Sequence, residues 1–207
     1  MQPHPDLWAI IPVKPFDIGK SRLAGVLDAG ARAALNRQLF DHVFARALAA
    51  FRPERVAVVT ADAGLCARVG VRGAHGIVEA GAGDLNAALG QACGYALERG
   101  AQAIMVLPSD LPFVSAADIE ALQAALGPAP CCVIAPDALG QATNALALAP
   151  PDPGFFRFGP ASFAAHVQSA RARGAAVEVM RLPGLAFDLD TPKDYRVFLS
   201  RTPAPVS

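Results

Sequence analysis

The sequence has no excess of charge of either sign, because 18 basic side chains balance 18 acidic ones. Proteins that bind nucleic acid usually carry a basic excess, so this balance argues against a nucleic-acid partner. No apolar run approaches the roughly 18 residues that span a bilayer, and the start of the chain lacks the pattern of a signal peptide. We therefore expect a cytoplasmic protein without membrane contact, whose ligands are small anions held by local groups.

Cysteine is scarce, and its spacing does not suit a metal. None of the four cysteines (Cys66, Cys93, Cys131 and Cys132) belongs to a CxxC pair. A zinc site is therefore not expected, and the pattern favours buried, reduced thiols. Hydrophobic residues make up 53% of the 207 residues and charged residues 17%, which supports a sizeable core. The length predicts one domain over 1–207, with a core at about 7–199 and a disordered tail at 200–207.

Apolar runs typical of strands alternate with segments that have helical periodicity. We predict strands at 7–13, 55–60, 103–107, 131–136 and 144–149, extended segments at 176–182 and 185–189, and helices at 31–51, 85–100, 116–126, 159–174 and 191–199. The Pro- and Gly-rich segment 136–160 is expected to form a loop or hairpin over one edge of the sheet. This alternation predicts an α/β fold of three αβα layers around a mainly parallel, Rossmann-like sheet.

Two acidic clusters follow predicted strands. In "IMVLPSDLPFV" the apolar run ends at Pro108, and Asp110 follows in a loop that prolines stiffen. In "FDLDTPKD" the carboxylates of Asp188 and Asp190 flank Leu189 and point to one face if the segment is extended. Ligands of open α/β sheets bind beyond the carboxyl ends of the strands, where such carboxylates suit Mg²⁺. Turn capping by Asp110 is an equally compatible interpretation, and we expect one of the later acids to support the helix at Thr191.

A basic loop follows the first strand. "IPVKPFDIGKSRLAGVL" carries Lys14, Lys20 and Arg22 with flexible glycines, but it matches neither a Walker A loop nor GxGxxG. It could cradle a polyphosphate, although a loop of this composition is, by itself, more often a solvated surface. Asn86 begins the helix after "GD", where it could cap the helix or contact a nucleoside.

A second anion site is predicted at the start of helix 159–174. Gly159 is the expected N-cap, Pro160 the first helical residue, and Ser162 the third, so free backbone N–H groups would lie beside a hydroxyl. Thr143 could join this site from the preceding loop. His166 lies one turn further along, where a packed or surface position on the helix is favoured over the role of a catalytic base.

In order, the stretches "PVK…KSRL", "LNAAL", "LPSDLP", "TNAL", "FGPASFAAH" and "DLDTPKD" resemble the guanylyltransferases of coenzyme F-420 biosynthesis, over about residues 8–199. The resemblance implies a nucleotide-diphospho-sugar transferase fold. It also implies transfer of GMP from GTP to 2-phospho-L-lactate, phosphoenolpyruvate or 3-phospho-D-glycerate, with Mg²⁺ as cofactor. "DLP" and "DxDTP" recur in other nucleotidyltransferases, whereas "KSRL", "TNAL" and "FGPASFAAH" are more specific.

The resemblance also assigns roles to residues. It implies metal binding by Asp110 and Asp190 with Asp188 close by, and catalytic roles for Lys20, Arg22 and Asp110. The implied nucleotide-binding residues are Val13, Lys14, Lys20, Arg22, Leu85, Asn86 and Pro108, and the implied acid-binding residues are Thr143, Gly159 and Ser162. Relatives tend to have glycine where this chain has Asp84.

Two other functions stay open at this point. The chain could be a related nucleotidyltransferase with another acceptor, or a nucleotide-binding module without catalytic activity. Retention of the acids and the basic loop in one chain argues against the second. The apolar character of helix 31–51 and of the edge near 150–160 would allow a homodimer.

Overall fold

The structure is a computed structural model, and it describes residues 6–81 and 83–202. The strands are Leu7–Pro12 (β1), Val56–Thr60 (β2), His75–Val78 (β3), Ala103–Val106 (β4), Cys131–Pro136 (β5), Thr143–Ala149 (β6) and Ala176–Val179 (β7). The helices are Ala29–Ala50 (α1), Ala63–Val71 (α2), Leu85–Leu97 (α3), Ala116–Ala125 (α4), Ser162–Ala172 (α5) and Pro192–Arg201 (α6).

The strands form one seven-stranded sheet in the order β3-β2-β1-β4-β6-β5-β7. Strand β6 runs antiparallel to both of its neighbours, β4 and β5, and the other pairs are parallel. The predicted mainly parallel sheet is confirmed. Because β6 is reversed, its first residues lie at the edge where β4 ends, and Thr143 therefore starts at the same edge as the Asp110 loop.

Helices cover both faces of the sheet and give the predicted three layers. One face packs against apolar side chains of α1, α2 and α4, such as Val43, Leu65 and Ile119. The other face packs against α3 and α5, through residues such as Leu89 and Ala170. Strands β1, β2 and β4 to β6 are almost wholly buried, which explains why they appear in the sequence as continuous apolar runs rather than alternating ones.

Several predicted elements need correction. The segment 136–160 does not simply lie over an edge, because its part Thr143–Ala149 is inserted into the sheet between β4 and β5. Residues 185–189 form no strand, and β7 ends at Val179. The last helix reaches Arg201, two residues into the predicted tail, and residues 203–207 lie outside the described part of the chain.

Two elements were missed, and one helix begins later than expected. Helix α2 contains two glycines and β3 has only four residues, so neither gives a strong periodic signal. Helix α5 begins at Ser162 rather than at Pro160, because its N-cap is Ala161 in the left-handed region at φ 55°. Ser162 is therefore the first helical residue, not the third.

The four cysteines are free thiols, and Cys93, Cys131 and Cys132 are buried while Cys66 is half-buried. Burial raises the pKa of Cys93 and of Cys132 to about 12, so these thiols stay protonated. Within residues 6–81 and 83–202, no helix combines the length and apolar character needed to cross a bilayer.

Candidate active site

A cleft of about 690 Å³ opens at the carboxyl edge of the sheet. Its walls come from the loop after β1, from the ends of β2, β3 and β4, from the start of α3, and from Asp190 before α6. Of the predicted site residues, the cleft is lined by Val13, Lys14, Lys20, Leu85, Pro108, Asp110 and Asp190. The predicted nucleotide-binding edge is thus the edge where most of these residues converge.

The loop after β1 is held down by helix α1. The Asn36 side chain on α1 donates a hydrogen bond of 2.7 Å to the Phe16 carbonyl. Gly19 lies so close to Asn36 that an added Cβ would stand 2.5 Å from Nδ2, so a larger residue there would displace the Asn36 side chain. The next residue, Lys20, has a left-handed backbone at φ 56°. Such backbone geometry is uncommon for a residue with a side chain and concentrates at functional sites.

Lys20 brings the two acidic clusters together. Its Nζ lies 3.1 Å from Oδ2 of Asp110 and 2.8 Å from Oδ1 of Asp190. The Lys20 side chain is only 7% exposed, whereas the two carboxylates are 31% and 42% exposed. The ammonium is therefore enclosed, while both carboxylates keep open faces toward the cleft. Arg22 lies at the rim, with its guanidinium 3.8 Å from Asp190.

Backbone contacts fix the position of Asp190. The amide of Leu189 donates to the Asp110 carbonyl at 3.1 Å, and the Leu189 side chain is fully buried. The amide of Asp190 donates to the Asp194 carboxylate, which completes a capping box with Thr191 at the start of α6. The helix is therefore capped by Thr191 and Asp194, and neither Asp188 nor Asp190 supplies the cap that we expected of one of them.

Charge and burial shift the pKa values of two groups in this cluster, Lys20 and Asp188. Burial alone would lower the pKa of Lys20, but the charges of Asp110 and Asp190 outweigh it and the pKa is raised. Burial raises the pKa of the Asp188 carboxyl, and the negative charge of Asp110 raises it further. Asp188 accepts a hydrogen bond of 3.3 Å from the Asn144 side chain, which also donates to the Leu185 carbonyl. Three carboxyl groups thus lie near one enclosed lysine, with Arg22 at the rim as the second cation.

A magnesium ion would fit this donor set. Carboxylate oxygens are its preferred protein ligands, and it is usually held by one or two carboxylates together with substrate phosphates. Among the described residues, no three His, Cys, Asp or Glu side chains are grouped tightly enough to hold a metal by themselves. Asp110 and Asp190 already accept a cation, the Lys20 ammonium, between them. These two residues therefore match the kind of magnesium site that substrate completes.

Asn86 is placed differently from its predicted role. Its Nδ2 donates to the Phe158 carbonyl at 3.0 Å, and its Oδ1 accepts from the Phe158 amide at 2.7 Å. The residue that caps α3 is Asp84, whose carboxylate accepts from the amides of Asn86 and Ala87. Asn86 thus joins the start of α3 to the chain segment that precedes α5, and its side chain is not among those that line the cleft.

This pair of hydrogen bonds leads to a prediction for Asn86→Ala. Loss of both bonds should lower the free energy of unfolding by about 1–3 kcal/mol and release the segment around Gly159. For the two substrates that the sequence resemblance implies, we expect the KM for the phospho-acid to rise more than the KM for GTP, measured by steady-state kinetics. Gln168→Ala, an exposed position on α5, is the matched control. A rise confined to the KM for GTP would instead support the nucleoside contact that the resemblance implies.

The predicted acid-binding residues lie side by side, but two of them are buried. Thr143 is 4% exposed and Ser162 is 2% exposed. The Ser162 Oγ accepts from the Thr143 amide at 3.0 Å, and the Thr143 Oγ1 lies 2.9 Å from Nδ1 of His166. Gly159, at φ 141°, is exposed. The structure therefore brings the three together, because the Ser162 amide donates to the Gly159 carbonyl at 3.2 Å, but only Gly159 is exposed and the Thr143 and Ser162 hydroxyls are bonded within the protein.

His166 is a packed residue, which is one of the two positions that the sequence left open for it. It is fully buried, stacks on Phe155 and meets Phe158 edge-on. Its Nε2 accepts from the Arg157 amide at 2.9 Å, so Nδ1 carries the proton and donates to Thr143. Burial, assisted by the charge of Arg157, lowers the pKa of His166 to about 4. The neutral ring thereby joins Arg157, two residues before Gly159, to Thr143 at the start of β6.

His166 should make stability depend on pH. Its pKa is lower in the folded chain than in the unfolded chain, so its contribution is complete above pH 6.5 and is lost as pH falls toward 4. Urea unfolding at pH 7 and pH 5 should show that His166 accounts for about 2 kcal/mol of the difference in unfolding free energy. In His166→Gln that share should vanish. Equal pH dependence in both proteins would contradict the buried neutral ring.

Three residues at the site escaped prediction. Asn36 lies on a helix that the sequence marks only by its apolar stripe, so this polar residue did not stand out. Asn144 lies in a run that was predicted as an apolar strand. Glu79 follows β3 and lines the cleft. The available signal for Glu79 was a carboxylate after "HGIV" and before a glycine-rich turn, but β3 itself was not recognised.

Comparison with known proteins adds a family to this geometry. The sequence model described as "Guanylyl transferase CofC like" matches residues 7–200. The chain belongs to this CofC-like guanylyl transferase family. The sequence resemblance is thereby confirmed, and the chain is a nucleotidyltransferase.

Relatives of the CofC-like chain carry specific names. A phosphoenolpyruvate guanylyltransferase of Rubrobacter xylanophilus is 44% identical over 191 residues, which cover 91% of each chain. A 3-phospho-D-glycerate guanylyltransferase of Colwellia psychrerythraea is 30% identical, covering 89% of this chain and 87% of the relative. A crystal structure from Desulfovibrio desulfuricans G20, assigned to the nucleotide-diphospho-sugar transferases, has a TM-score of 0.73 at 19% identity, covering 98% and 89% of the two chains. The predicted fold class is confirmed.

Proposed function

We propose that the protein transfers GMP from GTP to the phosphate of a three-carbon phospho-acid and releases pyrophosphate, as a step of coenzyme F-420 biosynthesis. The observation that carries this is the convergence of Asp110 and Asp190 on Lys20 inside a cleft large enough for a nucleotide. Among the acids, we favour phosphoenolpyruvate, because the 44% identical relative carries that name. 3-Phospho-D-glycerate and 2-phospho-L-lactate are the other candidates.

The reaction places modest demands on the protein. An oxygen of the acid's phosphate attacks the α-phosphorus of GTP, the bond from that phosphorus to the bridging oxygen breaks, and pyrophosphate leaves. The attacking phosphate is already anionic, so no side chain has to remove a proton. Catalysis then consists of positioning the two substrates and neutralising the charge of the phosphates.

The chain's own residues are suited to these two tasks. Lys20 and Arg22 supply positive charge at the β4 end of the cleft, and Lys14, from the same loop, also lines the cleft. Mg²⁺, held through Asp110 and Asp190, would add charge neutralisation and orientation of the triphosphate. Gly159, beside Thr143 and Ser162, offers backbone groups for the acid. A cytoplasmic location, a homodimer and a single domain over 1–207 stay predictions.

The test uses phosphoenolpyruvate labelled with ¹⁸O in its phosphate. The protein, GTP and Mg²⁺ are incubated with the labelled acid, and products are identified by mass spectrometry. The proposal predicts a guanylylated acid that retains the label and pyrophosphate that carries none. Parallel incubations with the other two acids rank the substrates. Pyrophosphate that carries label, or GTP consumption without a joined product, would contradict the proposal.

A further inference from the structure

The two ends of the cleft differ in chemistry. At the β4 end lie Lys20, Asp110 and Asp190, which suit a triphosphate. At the β2 and β3 end the walls are formed by the apolar residues Val59, Ala61, Leu85 and Ala88. Strands β3 and β4 are separated by β2 and β1, so the two ends are roughly 14 Å apart. A nucleotide whose phosphates occupy the charged end would therefore place its base on the apolar end.

One charged side chain lies at that apolar end. Glu79 follows β3 and lines the cleft together with Gly83 from the turn that leads into α3. It is the acidic residue of the lining that does not belong to the Lys20 cluster, among the residues that the structure describes. An acid beside these apolar walls, at the end of the cleft opposite Lys20, indicates a role other than metal binding.

The backbone around Glu79 is held on both sides. Its amide donates to the Thr60 carbonyl at 3.0 Å, which continues the pairing of β3 with β2. Gln91 on α3 donates to the Val78 carbonyl and accepts from the Ala80 amide, each at 2.9 Å. The Glu79 Oε1 accepts from the Gly83 amide at 3.2 Å, so the side chain is also oriented. A fixed carboxylate of this kind recognises a ligand without much loss of conformational freedom on binding.

We infer that Glu79 selects guanine by accepting hydrogen bonds from its N1–H and 2-amino groups. This rests on the proposed use of GTP. Guanine presents these two donors side by side, and an ionised carboxylate offers acceptors only. Adenine presents a lone pair at N1 and has no donor at C2, so the same carboxylate would face an acceptor. A buried or partly buried polar group left without its partner is the strongest source of rejection at a binding site.

The substitution Glu79→Gln should weaken the use of GTP and at the same time improve the use of xanthosine triphosphate. The Gly83 amide keeps a carbonyl oxygen at the Oε1 position, so the new NH₂ group takes the position of Oε2. That group opposes the 2-amino donor of guanine but can donate to the 2-carbonyl of xanthine. The substitution preserves size, and its melting temperature should match that of the wild type.

The experiment compares GTP with xanthosine triphosphate in wild type and Glu79→Gln. We expect kcat/KM for GTP to fall roughly 10- to 100-fold and kcat/KM for xanthosine triphosphate to rise, so that the preference for GTP is lost or reversed. Glu98→Gln, at an exposed side chain on the end of α3, should keep the wild-type preference. An unchanged ratio of the two nucleotides in Glu79→Gln would overturn the inference.

Nucleotide binding, measured without turnover, tests the role of Glu79 independently of the proposed reaction. Calorimetry with each nucleotide and Mg²⁺, but without any phospho-acid, measures recognition of the base even if turnover fails. Wild type should bind GTP more tightly than xanthosine triphosphate or ATP, and Glu79→Gln should lose that order. Equal affinity of the wild type for the three nucleotides would overturn the role of Glu79, whereas tight GTP binding without turnover would count against the proposed reaction alone.

Discussion

Asp110→Asn is expected to lower kcat by at least about 10²- to 10³-fold while leaving the fold intact. The amide keeps the shape of the side chain but loses the charge that attracts a cation to the triphosphate. Lys20 retains its 2.8 Å contact with Asp190, so the loop after β1 should stay in place. Steady-state kinetics of pyrophosphate release, together with the melting temperature, measure both parts of the prediction.

The control for this variant is Asp41→Asn, which removes an exposed carboxylate from α1. It changes the net charge by the same amount but lies outside the cleft. Near-normal turnover in Asp110→Asn would contradict the metal role and would support the alternative that Asp110 caps a turn. A collapse of the melting temperature would instead assign Asp110 a structural task.

Lys20→Met is expected to reduce kcat/KM by about 10²-fold or more, because it removes an enclosed charge from the triphosphate end of the cleft. It also leaves the carboxylates of Asp110 and Asp190 without the cation that lies between them. Repulsion between these groups should lower the melting temperature in the absence of metal. The variant removes two contributions of Lys20 at once, and the two measurements distinguish them: kcat/KM reports phosphate binding, and the melting temperature reports the stability of the metal-free cleft.

Magnesium should reveal the second contribution. Added Mg²⁺ replaces the missing positive charge, so it should raise the melting temperature of Lys20→Met more than that of the wild type, with no nucleotide present. Lys193→Met, at an exposed position on α6, should respond as the wild type does. An equal response to Mg²⁺ in Lys20→Met and wild type would contradict a shared cation position between the two carboxylates.

The positions of Asp110 and Asp190 could be predicted from the sequence, because local patterns mark the segments beside them. Asp110 lies beyond a continuous apolar run, and "DTPKD" predicts the start of a helix, so both acids could be assigned to the carboxyl edge. The contact between Lys20 and the two acids could not be predicted, because it depends on a left-handed residue and on a glycine that closes against Asn36. Neither feature produces a local pattern in the sequence.

Interactions across long stretches of chain explain the other differences. Asn86 and Phe158 are 72 positions apart, and their two hydrogen bonds decide that Asn86 faces the α5 segment. "FGPAS" suggests a helix that starts at its proline, but the Thr143 amide bonds to Ser162 and the helix begins at that residue. The left-handed Ala161 and this long-range bond both lie at the start of the helix, and neither produces a local pattern in the sequence.

Pyrophosphate release from GTP, measured with and without phosphoenolpyruvate in wild type and Asp110→Asn, is the decisive test of guanylyl transfer at this cleft. In the wild type we expect release that requires both the acid and Mg²⁺, with one pyrophosphate for each guanylylated acid, and in Asp110→Asn we expect almost none. Release that is independent of any phospho-acid, or equal release by the two proteins, would contradict guanylyl transfer at the Lys20, Asp110 and Asp190 cluster.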